Sequence, residues 1–225
     1  MTIPSDRSSA APSTAELDRR SRLARSGLYL VLEARPHGED PRSLLDAALR
    51  GGVDVVQLRE KELGDDALIA AAEPFRRACQ AHGALFILND RPDLVEACGA
   101  DGVHVGPSDT PVAQARSLIG ADRLLGLSVS TLGELGEVGG ADYVGVTAFA
   151  TPTKKDAVAG GLELVRAAAE ALTVPWFAIG GINLSNVPEL TRAGTSGVAV
   201  VRAIRDAADP EAAARMLRAA LDRQQ

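Results

Sequence analysis

Cysteine, basic excess and long apolar runs are all scarce in this sequence, and each scarcity removes a class of function. The two cysteines, Cys79 and Cys98, fall inside apparent helices with no second pair nearby. A disulfide framework is excluded by count, a zinc site lacks ligands, and both side chains read as buried free thiols. The formal net charge is -6, whereas a nucleic-acid or anionic-membrane binder draws its affinity from a basic face. No apolar run approaches the ~20 residues that span a bilayer. A secretory signal needs an apolar stretch of roughly 7–15 residues near the start, and none is found there. Asp6, Glu16 and Asp18 do not suit a transit peptide. The sequence reads as a cytoplasmic protein with small-molecule partners, no nucleic acid and no membrane. It leaves the oligomeric state open, a homo-oligomer included.

What the chain has in quantity is aliphatic and small residues. Of its 225 residues 46% are hydrophobic and 22 are glycine, enough to bury one large core. Residues 1–25 differ from the rest: rich in Ser, Ala, Pro and Arg and without apolar periodicity, they read as a disordered tail. Residues 26–225 read as a single catalytic domain. Within it short β-branched or aliphatic runs alternate with longer Ala/Leu/Arg segments, the pattern of parallel strands joined by helices. The strand candidates are Leu28–Leu32, Val53–Leu58, Leu85–Leu88, Gly102–Val105, Leu124–Ser128, Tyr143–Val146, Trp176–Ile179 and Gly197–Val200. Eight βα units with right-handed crossovers close into an α/β (β/α)8 TIM barrel. An open doubly wound sheet is the alternative.

In a barrel every strand end faces one C-terminal mouth, where such folds keep their chemistry. Period-two alternation sends Gln57, Arg59 and Lys61 to one side, so an amide and two cations converge on one space. Thr151, Thr153 and Lys154 follow the sixth strand in a loop long enough to wrap a phosphate. Asn89-Asp90 and Asp109 add carboxylates at further strand ends, which beside so many cations points to a hydrated divalent metal. Singly, Arg59-Glu60-Lys61 reads as solvated surface and Asn89-Asp90 as a helix cap; their joint arrival at one rim favours a polyanion site. A second anion site is expected where Gly180-Gly181 and Val201-Arg202 offer backbone amides after the last two strands.

Val56-Gln57-Leu58-Arg59-Glu60-Lys61, Leu88-Asn89-Asp90-Arg91, Gly102-Val103-His104-Val105-Gly106, Thr151-Pro152-Thr153-Lys154-Lys155-Asp156 and Ile179-Gly180-Gly181-Ile182 together resemble the thiamine phosphate synthase family, over roughly Gly27 to Leu221. The resemblance implies condensation of 4-amino-2-methyl-5-hydroxymethylpyrimidine diphosphate with 4-methyl-5-(2-hydroxyethyl)thiazole phosphate, giving thiamine phosphate and diphosphate with Mg2+ as cofactor. It implies diphosphate contacts from Gln57, Arg59, Lys61, Asn89, Ser128 and Lys154, with Leu58 and Glu60 among the substrate-binding residues. Among these Arg59, Lys61, Ser128 and Lys154 carry catalysis. It implies metal ligation by Asp90 and Asp109, and thiazole-phosphate contacts from Thr151, Thr153, Gly181 and the Val201-Arg202 backbone, with Pro152 also among the substrate-binding residues. His104 reads as a structural residue of the barrel interior. Two departures stand out: Thr147-Ala148 where the family commonly has Gly-Pro, and Arg202 where it often has serine. The alternatives are a thiazole tautomerase, which resembles the same family but wants a histidine where Ser128-Val129-Ser130 stands, and a non-catalytic barrel that binds phosphate ligands.

Overall fold

The computed structural model describes residues 12–149 and 160–222. Its eight strands pair in sequence order, all parallel, and β8 closes on β1. They are β1 (Leu28–Leu32), β2 (Val55–Leu58), β3 (Leu85–Asn89), β4 (Gly102–Val105), β5 (Leu124–Val129), β6 (Tyr143–Thr147), β7 (Trp176–Ile179) and β8 (Val198–Val200). The helices are α1 (Thr14–Ala24), α2 (Arg42–Arg50), α3 (Asp65–His82), α4 (Val95–Cys98), α5 (Val112–Ile119), α6 (Gly161–Ala171), α7 (Val187–Arg192), α8 (Arg202–Arg205) and α9 (Pro210–Asp222). The closed order rules out the doubly wound alternative. Between β5 and β6 a 3-10 turn over Gly133–Glu137 stands in the place of a full α-helix. Gly133 and Gly136 there raise the cost of a regular α-helix.

Alternation along the strands divides the buried side chains into two shells. Tyr29 and Val31, Val55, Leu85 and Ile87, Leu124, Tyr143, Phe177 and Ala199 fill the barrel interior. Their neighbours, such as Leu28, Leu30 and Leu32 on β1 or Val56 and Leu58 on β2, face outward and pack under the helices. Inward positions that continue this period toward the strand ends are Gln57, Asn89, His104, Ser128 and Thr147. The pleat therefore stacks an apolar floor beneath a polar mouth.

The N-terminal segment corrects an expectation. Residues 14–24 are not a disordered tail but α1, started by Ser13, whose hydroxyl accepts from the Glu16 amide. Leu23 enters the interior cluster at 2% exposure and closes the barrel from below. Around it, Arg19 pairs with Asp101 at 2.9 Å, Arg20 with Asp142 at 2.9 Å, and Arg22 donates to the Gly83 and Ala84 carbonyls. All these partners lie at the N-terminal ends of strands.

A repeated device ties the same end together. Gly52-Val53-Asp54, Gly99-Ala100-Asp101 and Gly140-Ala141-Asp142 each precede an even-numbered strand. In each case the carboxylate accepts a backbone amide of the preceding strand or its approach: Asp54 from Gly27 and Leu28, Asp101 from Phe86, Asp142 from Leu125. An arginine neutralises each one, Arg218, Arg19 and Arg116 respectively. Carboxylates so engaged are structural, and they leave the opposite end free for chemistry. Among the described residues no helix is long and apolar enough to cross a membrane.

Candidate functional site at the barrel mouth

The mouth is built from strand ends. Asn89 is the last residue of β3, opposite His104 on β4. Next to it, the Asp90 amide donates to the His104 carbonyl at 2.9 Å, which anchors Asp90 beside β4. Asp90 adopts φ 60°, the left-handed region that non-glycine residues enter at a cost. Backbone strain of this kind gathers at functional sites. Asp109 reaches the same place from the loop after β4, held by the Gly106 amide, which donates to its Oδ2 at 2.8 Å.

These two carboxyls lie within hydrogen-bonding reach of each other, and the electrostatics follow. Desolvation raises the Asp90 pKa above the ordinary carboxylate range, the Asp109 carboxyl raises it further, and Lys61 opposes both. Lys61 Nζ stands 3.6 Å from Asp90 Oδ2. A pair of hard oxygens with one partial counter-charge suits a small divalent cation that completes its shell with waters and ligand oxygens. No cluster of three or more His, Cys, Asp or Glu side chains fit for a metal occurs among the described residues. A cation held by Asp90 and Asp109 would therefore need a ligand's oxygens as well.

Asn89 carries a second signal. Its Nδ2 is buried and makes no hydrogen bond of ordinary geometry, although the amide is near enough to stabilise the Asp90 carboxylate in part. Buried donors are almost always partnered, so a free one beside a cation-fitted pair marks a place for an incoming acceptor. Gln57, also buried, donates from Nε2 to the Tyr29 hydroxyl at 2.8 Å. On β5, Ser128 meets His104 Nε2 at 2.9 Å, and further out Ser130 meets Thr147 at 3.0 Å.

The structure brings Gln57, Lys61, Asn89, Asp90, Asp109 and Ser128 to the strand ends where they were expected. Arg59 and Glu60 are half-buried just past β2, and Lys61 is exposed. Leu58 differs: its side chain packs in the outer shell under the helices, and its backbone is paired within the sheet. Gly181 has φ 56°, and neighbouring Gly180 has φ 105° with room for no side chain, since a Cβ there would lie 2.1 Å from the Phe149 carbonyl oxygen. Val201 packs against the interior cluster and Arg202 is exposed at the start of α8. Thr151, Pro152, Thr153 and Lys154 lie outside the described residues. Sequence reasoning passed over Tyr29 and Tyr143 and named Thr147 only as a departure from the family pattern; His104 lies in the barrel interior, where it was read as a structural residue. The period-two alternation of β1 and β6 carried the signal, because it sends Tyr29, Tyr143 and Thr147 inward.

An eight-stranded parallel barrel with a carboxylate pair and a lysine at its C-terminal rim is a (β/α)8 barrel with polar chemistry gathered at the end where such folds carry their sites. The family model for thiamine monophosphate synthase matches residues 28–204, and the chain belongs to that family. The thiamine-phosphate synthase of Thermobifida fusca (strain YX) is 45% identical over 205 residues, which cover 88% of this chain and 94% of that one. That of Arthrobacter sp. (strain FB24) is 41% identical over 227 residues, covering 89% and 96%. Other relatives are longer: the chain spans 50% of the Thermosynechococcus vestitus protein and 58% of its Nostoc punctiforme counterpart. Among solved structures, thiamine phosphate pyrophosphorylase from Pyrococcus furiosus superimposes with a TM-score of 0.81 at 34% identity, covering 91% of this chain and 98% of the other. A 3-hexulose-6-phosphate synthase at 23% identity and TM-score 0.62 shares the fold.

Proposed function

We propose that the chain is a thiamine phosphate synthase, joining 4-amino-2-methyl-5-hydroxymethylpyrimidine diphosphate to 4-methyl-5-(2-hydroxyethyl)thiazole phosphate. The observation that carries the proposal is the juxtaposition at one rim of the unpaired Asn89 amide with the Asp90–Asp109 pair and Lys61. Donors and a cation-fitted carboxylate pair, side by side, are what a metal-bound diphosphate requires. Family membership supports the same reading.

In this account Asn89 and Ser128 donate to diphosphate oxygens, and Arg59, Lys61 and Lys154 face them with positive charge. Asp90 and Asp109 would hold Mg2+, which when bound would supply positive charge against the negative charge that develops on the departing diphosphate. The bond between the pyrimidine methylene carbon and the diphosphate oxygen breaks, and its electron pair leaves with diphosphate. The thiazole ring nitrogen then gives its lone pair to that carbon. No side-chain nucleophile enters, so the protein contributes positioning and electrostatic stabilisation. Thr151, Thr153, Gly181 and the Val201-Arg202 backbone bind the thiazole phosphate and set the nitrogen near the carbon. Small phosphorylated molecules as partners and a cytoplasmic location complete the reading.

The test is incubation of the purified protein with both substrates and Mg2+, followed by chromatography. Thiamine phosphate is expected with Mg2+ and absent with excess chelator. Full turnover in chelator removes the metal assignment. No product under either condition returns the chain to a tautomerase or a ligand-binding barrel.

A further inference from the structure

We propose that Tyr29, Tyr143 and His104 are positioning residues, forming a one-way hydrogen-bond chain that makes Ser128 a donor toward the barrel mouth. The chain crosses the interior through five strands. Gln57 Nε2 lies 2.8 Å from the Tyr29 hydroxyl, which lies 3.0 Å from that of Tyr143. The Tyr143 hydroxyl is 3.2 Å from His104 Nδ1, and His104 Nε2 is 2.9 Å from Ser128 Oγ. Burial raises the pKa of both phenols above the ordinary tyrosine value, so both hydroxyls keep their protons.

Direction follows from proton counting. An amide nitrogen only donates, so the Tyr29 oxygen accepts from Gln57 and its single proton goes to Tyr143. The reverse arrangement would strand the Tyr29 proton in the apolar interior without an acceptor, a costly state for a buried polar group. Tyr143 then spends its own proton on His104 Nδ1. A neutral imidazole that accepts at Nδ1 carries its proton at Nε2, and this proton goes to Ser128 Oγ. Ser128, having accepted from the histidine, directs its own proton elsewhere, and its side of the strand opens to the mouth.

The packing is built around this chain. Gly126, the inward residue of β5 below Ser128, leaves space that a side chain would take: a Cβ there would lie 2.2 Å from Tyr143 Cζ and 2.4 Å from His104 Nδ1. Phe177 packs edge-on against both tyrosine rings, with centroids 5.3 and 6.0 Å away, and so holds them in register. The consequence for ligand binding, that Ser128 donates to a diphosphate oxygen, rests on the function proposed above. The chain itself does not.

Nitrogen-15 spectra of the histidine side chains test the direction in the ligand-free protein. The three histidines are His37, His82 and His104, each assigned by its own substitution. The chain predicts a pyrrole-type Nε2 and a pyridine-type Nδ1 for His104. Tyr143→Phe, which keeps the ring, should let the two tautomers mix. Titration with inorganic diphosphate in Mg2+ supplies the second readout: Tyr143→Phe and Ser128→Ala should each weaken binding about three- to tenfold, and the double variant should be no weaker than Ser128→Ala alone. A proton on Nδ1 in the wild type overturns the direction, and additive losses in the double variant overturn the positioning role. Should Tyr143→Phe fail to fold, the wild-type nitrogen spectrum still tests the direction, and His104→Phe replaces it in the diphosphate titration with the same loss and the same non-additivity with Ser128→Ala expected. A protein that shows the predicted tautomer and diphosphate binding but makes no thiamine phosphate refutes the synthase reading and leaves the chain intact.

Discussion

Leu23→Ala is the substitution that most sharply distinguishes a docked N-terminal helix from a loose tail. Leu23 is 2% exposed and sits among Tyr29, Leu85, Leu124 and Tyr143 at the floor of the barrel interior. Truncating a buried leucine costs about 2–5 kcal/mol, the higher values belonging to sites that cannot relax. Leu23 lies at the open end of the barrel, where α1 and the strand-approach loops can settle inward, so about 2–3 kcal/mol is expected. In a protein of this size that lowers the melting temperature by roughly 4–12 °C. Leu17, 54% exposed on the same helix, is the internal control, and Leu17→Ala should change stability by less than about 0.5 kcal/mol. Arg20→Ala lies between, at about 0–1 kcal/mol, because Asp142 keeps Arg116 and the Leu125 amide. Urea unfolding at constant m-value measures all three. If Leu23→Ala and Leu17→Ala were equally mild, α1 would not plug the barrel, and residues 1–25 would be removable without loss of stability.

The remaining predictions concern the mouth. Asp90→Asn suits the left-handed backbone at that position and should remove activity while preserving the fold. The folded-state pKa of Asp90 is raised, so its stabilising contribution is full below the ordinary carboxylate range and lost as pH rises through the raised value. Without Mg2+, Asp90→Asn should therefore melt above the wild type at neutral pH, and the two should converge in acid; a variant that melts lower at neutral pH contradicts the electrostatics. Asn89→Ala removes a donor that makes no hydrogen bond of ordinary geometry and touches the Asp90 carboxylate only weakly, so thermal stability should change little while affinity for the pyrimidine diphosphate drops about ten- to hundredfold, as for a hydrogen bond to a charged group; unchanged affinity by calorimetry would count against the site. Lys154→Ala should slow turnover about a hundredfold, roughly 3 kcal/mol, by deleting the positive charge proposed to stabilise the departing diphosphate. Its effect on thiazole phosphate binding should be small, and wild-type kinetics would detach Lys154 from the chemistry.

The strands were legible because each is a short aliphatic run between turn residues: β1, β4 and β7 fall where alternation places them, at Leu28–Leu32, Gly102–Val105 and Trp176–Ile179. The helix α1 was not, since its contacts with Asp101 and Asp142 lie 82 and 122 residues away in sequence and Leu23 is its main apolar anchor. Local periodicity cannot register a helix held by distant carboxylates. At the site, the identity of Asn89, Asp90 and Asp109 could be read from strand-end position. Their mutual approach could not, because it depends on the left-handed turn at Asp90 and on the Gly106 amide that fixes Asp109. The Tyr29–Tyr143–His104 connection was hidden for a related reason: three residues on three strands meet only once the barrel closes.

The most direct measurement of the central claim is the stoichiometry of products in a single reaction. Wild-type protein with both substrates and Mg2+ should release diphosphate and form thiamine phosphate one for one, at a rate that collapses in Asp90→Asn. Diphosphate released without thiamine phosphate, or equal turnover by the variant, would contradict the assignment of this barrel mouth as the place where the two rings are joined.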